Sequence, residues 1–168
     1  MKPLTLLFTT ALAITPCLLT SCGKKDSGGG ASSTESVGAD GVRTLKLTGN
    51  DALQYNVKEI TATPGEKLKI EMTNVGSMPK ASMAHNFVLL QAMPDADVQA
   101  LAMAASTKPT EYLPEDQSKI IAHTKMLGPG ESETLTLTAP SAPGSYPYVC
   151  TFPGHFTLMR GNLVVKAK

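Results

Sequence analysis

Tryptophan is absent from this 168-residue chain, and tyrosine and phenylalanine contribute only four residues each. With so few large rings, the core has to rest on Val, Ile, Leu, Met and Ala. An excess of charge of either sign is lacking too: 15 Lys and Arg stand against 14 Asp and Glu. A nucleic-acid footprint needs a clustered basic excess, so nucleic acid is set aside as a partner. The longest apolar run falls short of the roughly 20 residues that a spanning helix requires. The length leaves room for one domain and an appendage.

Cysteine is scarce, and the three differ in their surroundings. Cys17 lies in the apolar run from Leu4 to Leu19, behind a short start that carries Lys2. That layout reads as a secretory signal over residues 1–21, not as a membrane span. It ends in Leu19-Thr20-Ser21-Cys22, which resembles a bacterial lipobox, with Cys22 lipidated as the first mature residue. Ordinary cleavage near Ser21 would instead leave Cys22 a free thiol. Several acyl chains anchor stably where one is marginal. Gly23, where Asp would signal retention, leans toward the outer membrane, so the expected location is the periplasm or cell surface, held to a membrane. With Cys17 removed and Cys22 acylated, Cys150 has no disulfide partner. A leftover thiol in an exported chain is either reactive or a ligand, and coordination shields it from oxidants.

Residues 22–41 are rich in Gly and Ser and have nothing to bury, so they read as a flexible tether. From residue 42 to 168 short apolar runs alternate with turn residues. Strands are expected at 43–48, 55–60, 67–72, 85–90, 118–123, 133–138, 145–150 and 162–166. The 85–90 run is apolar on both faces and reads as an interior strand. One Ala-rich stretch, 95–106, reads as a helix with Asp95 as cap and Val98, Leu101, Ala102 and Ala105 on its buried face. Many short strands with one short helical insert argue an all-β fold, a Greek-key sandwich or barrel.

The chemistry gathers near the end, in Cys150-Thr-Phe-Pro-Gly-His155-Phe-Thr-Leu-Met159. Pro153-Gly154 is turn chemistry that can fold His155 back toward Cys150 and let Met159 approach. A thiolate, an imidazole and a weak thioether, joined by a second imidazole, form the donor set of blue-copper electron-transfer sites. Of the other two His, a lone His85 at a strand end is ordinarily a satisfied surface or core residue. The trio's need for another imidazole makes it the candidate. His123 reads as an exposed titrating side chain. Most of the eight Met residues are core filler, and Met159 stands out only by its place after His155.

The spacing Cys150-x₄-His155-x₃-Met159 resembles the ligand loop of the azurins. Pro79-Lys80-x-x-Met83-x-His85-Asn86 is similar to their segment bearing the first His, and Ile121-Ala-His-Thr-Lys125 with Gly130-Glu131 matches a further stretch. The resemblance covers about residues 42–168. It implies a cupredoxin fold holding one type 1 copper through His85, Cys150 and His155, with Met159 axial and the Ala84 backbone carbonyl opposite. It further implies that Asn86, facing Thr151, ties the two ligand-bearing segments together, and that the Phe152 N–H points at the Cys sulfur. Azurins commonly carry Gly where this chain has Ala84, a titrating His where it has Asn74, and Trp where it has Phe87. Their N-terminal disulfide has no Cys pair here.

The function this implies is a single-electron carrier, not an enzyme, since three His cannot furnish a second copper site. Redox partners such as c-type cytochromes or membrane and periplasmic oxidoreductases would dock on an apolar patch of Met78, Met83, Ala84, Phe152, Pro153 and Phe156 around the His155 edge. The carrier itself is expected to be a monomer. The alternative is a copper-binding, storage or delivery lipoprotein without a dedicated redox partner.

Overall fold

Period-two burial builds both sheets. In β2 (Arg43–Asn50) Leu45, Leu47 and Gly49 face inward while Lys46 faces out, and in β5 (Lys67–Asn74) Leu68, Ile70, Met72 and Asn74 do the same. Such strands can bury one face only against a second layer. The computed structural model describes residues 35–167, so the signal peptide, Cys22 and most of the tether lie outside the described residues.

The first sheet runs β1 (Glu35–Val37), β2, β5 and β8 (Ser132–Thr138), with β3 (Gln54–Tyr55) pairing the far end of β2. The second runs β4 (Glu59–Ala62), β10 (Arg160–Val165), β9 (Gly144–Val149), β6 (Val88–Leu90) and β7 (Ile120–His123). β2 with β5 and β4 with β10 pair in parallel, although the other neighbours are antiparallel. Such mixed order comes from strands that change sheets along the chain, as the expected Greek-key sandwich requires. The fold is all-β with few helices: α1 (Lys80–Met83), α2 (Asp95–Ser106) and a 3₁₀ turn at His155–Thr157.

Two cores result. Leu45, Leu47, Leu68, Ile70 and Met72 of the first sheet meet Ile60, Leu89, Tyr146, Tyr148 and Leu163 of the second. Gly161 stands opposite Tyr148 because a Cβ there would come within 2.3 Å of the Tyr148 ring. On the outer face of the second sheet, Val88, Leu90 and Val149 pack under Val98 and Ala102 of α2, together with Phe156. This second core explains why the run ending in Leu90 is apolar on both faces.

Four expectations are corrected. Residues 55–60 are not one strand: Tyr55 pairs with Gly49 in the first sheet, whereas Ile60 pairs with Leu163 in the second. Asn56 turns that corner. Its Oδ1 accepts from Thr48 N–H at 2.7 Å and its Nδ2 donates to the Lys46 carbonyl at 3.2 Å, replacing the strand bonds that the crossing gives up. Of 85–90, only Val88–Leu90 lies in the sheet, and His85 makes a single bridge to Leu127. Pro94, not Asp95, caps α2, and the Asp95 carboxylate instead binds Gln99 and Arg160. Lastly, Glu35–Val37, inside the stretch read as tether, pairs along β2 with every side chain exposed. It satisfies the backbone edge of β2 and buries nothing, so it carries no hydrophobic signal.

If the second core fastens α2 to the sheet, Leu90→Ala should cost about 2–5 kcal/mol, seen as a lower urea midpoint with an unchanged slope. A loss under about 1 kcal/mol would mean that the helix rests there without contributing.

Candidate metal centre

The loop after β9 is folded by its own backbone. Cys150 N–H donates to the Met159 carbonyl at 3.0 Å, closing the neck where β9 meets β10. Inside the loop, Gly154 takes a left-handed φ of 80°, His155 N–H donates to the Phe152 carbonyl at 3.0 Å, and Met159 N–H to the His155 carbonyl at 2.8 Å. Only glycine adopts that φ without strain, so Pro153-Gly154 delivers His155 back over Cys150. The other imidazole comes from a different part of the chain. His85 follows α1 and exchanges both backbone bonds with Leu127, at 3.0 and 2.8 Å.

Folding brings the donor atoms of His85, Cys150 and His155 within 4.8 Å of one another. Cys150 Sγ lies 3.6 Å from His155 Nδ1 and 3.9 Å from His85 Nδ1, and the two rings sit 5.1 Å apart. Cys150, His85 and Met159 are fully buried and His155 is 4% exposed. Among the described residues this is the one cluster of His, Cys and carboxylates able to hold a metal. His123 stands apart on β7, half-buried, with Nδ1 near the Thr124 carbonyl.

Burial controls the charges. It pushes the Cys150 thiol up to about 12, although the backbone N–H groups of Asn86 and Phe152 pull the other way by favouring the thiolate. It lowers His155 to about 4, helped by repulsion from His85. His85 is lowered by burial as well, partly offset by the Asn50 carbonyl and Asp51. His85 Nε2 has no hydrogen-bond partner, and Nδ1 is the ring nitrogen that faces Cys150 Sγ. Two neutral imidazoles and one thiol therefore face each other in a buried cluster. A soft, thiophilic cation fits this set, since it replaces the thiol proton and takes up both lone pairs.

The surrounding bonds hold the donors still. Asn86 Nδ2 donates to Thr151 Oγ1 at 2.8 Å, and its Oδ1 accepts from Thr151 N–H at 2.9 Å, with both residues fully buried. Tyr55 Oη donates to the Asn86 carbonyl. Asn74 Nδ2 donates to the carbonyls of Met83 and Leu127, at 3.2 and 2.9 Å, bracing the turn that presents His85. Sequence reasoning missed Tyr55 and this role of Asn74, because a buried phenol or amide in a strand looks like any other core position until its partner is known.

The expected surface patch is only partly on the surface. Met78 and Pro153 are exposed and Met83 is half-buried, but Ala84 and Phe152 are buried. The Phe152 ring lies 4.6 Å from His155 and 5.2 Å, edge-on, from Tyr112. Phe156 is a correction: it turns inward into the core beneath α2, as its neighbours Val88 and Val149 demand.

Residues 42–166 match the family described as copper binding proteins, plastocyanin/azurin family. The chain belongs to this family. It is 41% identical over 120 residues to azurin-2 of Alcaligenes xylosoxydans xylosoxydans, covering 68% of this chain and 90% of that protein. To outer membrane protein H.8 of Neisseria gonorrhoeae it is 38% identical over 118 residues, covering 69% of this chain and 63% of that one. Among solved structures, auracyanin A, a "blue" copper protein of Chloroflexus aurantiacus, superposes with a TM-score of 0.67 at 33% identity, covering 75% of this chain and all of that one. The fold is thus that of an azurin-like cupredoxin, and the cluster of His85, Cys150 and His155 is its single type 1 copper site.

With both imidazoles already neutral at pH 7 and the thiol protonated, copper uptake by this azurin-family chain should release about one proton, read with an indicator in weak buffer. Cys150→Ser should release none. Asn86→Ala, which strands the buried Thr151 N–H, should cost about 1–3 kcal/mol in urea unfolding of the metal-free protein.

Proposed function

We propose that the chain is a one-electron carrier, tethered outside the cytoplasm through a lipid on Cys22. The observation that carries this reading is the closed, buried donor cluster braced from both sides by backbone and Asn86 bonds. His85, Cys150 and His155 would be the three principal donors to copper, with the Met159 thioether a weak fourth and the Ala84 carbonyl a still weaker contact. Bound there, copper supplies one-electron cycling between Cu(II) and Cu(I). The residues contribute rigidity. The Cys150–Met159 neck bond and the Asn86–Thr151 clamp hold the donors in one arrangement, so neither oxidation state has to rebuild the site. The Phe152 and Asn86 N–H groups favour the thiolate and tune its donor strength.

His155 is the donor beneath the exposed turn Pro153-Gly154, and it is where an electron would cross to a partner. Of the expected docking patch, the exposed Met78 and Pro153 and the half-buried Met83 would form the rim there. An apolar rim suits small, short-lived redox encounters, with partners such as c-type cytochromes or membrane and periplasmic oxidoreductases. The lipobox-like Leu19-Thr-Ser-Cys22 and the likeness to H.8, named as an outer membrane protein, support a carrier held at the periplasmic or outer face of a membrane, with the outer membrane favoured.

Cu(II) added to residues 35–168 should give an intense visible thiolate-to-copper band that Cys150→Ser abolishes. A colourless wild type, or an equally coloured variant, would sink the proposal. Met83→Glu should leave that band intact while slowing transfer to a redox partner roughly tenfold, the effect of about 1.4 kcal/mol of misplaced charge. Reversible hand-over of copper with negligible electron self-exchange would instead favour storage or delivery.

A further inference from the structure

Gly49 occupies the inner face of β2, between Tyr55 on β3 and Asn74 on β5, with its carbonyl accepting from Val75 N–H at 2.8 Å. As the residue that interrupts the 43–48 alternation, it reads as a strand breaker. In the fold it is fully paired strand. Its φ is not in the left-handed region, so the backbone there places no demand on glycine. Space does. A Cβ at Gly49 would lie 2.5 Å from the Met159 methyl, 3.1 Å from the Met72 methyl and 3.2 Å from His85 Cδ2. The first distance is closer than carbon atoms approach without displacement.

We infer that Gly49 is a positioning residue: its missing side chain is the seat of the Met159 methyl and so sets how the thioether sulfur is presented to His85, Cys150 and His155. This rests on the reading of Met159 as fourth donor. The Met159 backbone is pinned by two hydrogen bonds, its N–H to the His155 carbonyl and its carbonyl from Cys150 N–H. Only the side chain is left to yield. Met72 and the His85 ring border the same space, and both are fully buried, so the methyl cannot yield toward them without displacing core. An added Cβ must either turn the methyl about the Cγ–Sδ bond, which redirects the sulfur lone pairs, or shift the whole thioether, which moves the sulfur. A thioether that is long and weak as a donor takes its position from the protein, more than from the metal. One absent methyl on a neighbouring strand would then set how the thioether meets the other three donors.

The test uses the full chain carrying Gly49→Ala, Met159→Ala and both substitutions. Three properties are read: the visible and EPR spectra of the Cu(II)-loaded protein, its reduction potential, and the methionine methyl resonances of the metal-free protein. Gly49→Ala should alter the ratio of the thiolate-to-copper bands and shift the potential, and without metal it should move the Met159 methyl resonance. In the Met159→Ala background the same substitution should add no further shift. Identical shifts in both backgrounds, or none in either, would overturn the inference. Should Gly49→Ala alone fail to fold, truncating Met159 should restore folding, and continued failure would likewise overturn it. Met159→Ala leaving spectrum and potential unchanged would remove the fourth-donor reading itself, whatever Gly49→Ala does.

Discussion

A backbone hydrogen bond, Cys150 N–H to the Met159 carbonyl, fixes the ends of the loop on which the metal chemistry depends. It continues the β9–β10 ladder by one rung beyond Val149 and Arg160, so the loop's ends are as firmly placed as the sheet itself. Everything between those ends is short. A left-handed Gly154 and one 3₁₀ turn are enough to aim His155 at the sulfur. Loop-closure entropy is small for so few residues, and the sheet meets most of it.

The remaining constraint is burial. A buried cluster of a thiol and two imidazoles is unfavourable for any charged form, which raises the Cys150 pKa and lowers that of His155. The two amide side chains nearby are already engaged elsewhere, with Asn86 bound to Thr151, and Asn74 to Met83, Leu127 and Gly76. A soft cation relieves this by replacing the thiol proton and engaging both imidazoles. Polar networks satisfied to this degree are rigid, and rigidity is what one-electron exchange asks of a copper site.

The second core links that site to the fold as a whole. Phe156, adjacent to His155, is inserted under α2 alongside Val88, Leu90 and Val149. The helical insert therefore clamps one side of the loop while Asn86 clamps the other. This arrangement was invisible as a pattern, because Phe156 in isolation is equally compatible with an exposed rim. The split of residues 55–60 between two sheets was hidden for a related reason: Tyr55, Val57 and Ile60 are all buried, and period-two reading cannot detect the sheet change between them. β1, with all three side chains exposed, offered no pattern at all.

Alternation along residues 43–48 and 67–72, the Ala-rich stretch 95–106 and the Cys150–His155–Met159 spacing are local properties, written in single segments of chain. Period, turn chemistry and donor type therefore made the all-β class, the helical insert and the copper-binding loop legible from residues alone. The pairing of His85 with that loop across 65 positions, the two-way Asn86–Thr151 clamp, the inward turn of Phe156 and the vacancy at Gly49 are relations between segments. They depend on which strand lies beside which, and on a few tenths of an ångström between side chains. Only the packed tertiary structure decides such distances, because no single segment contains both partners.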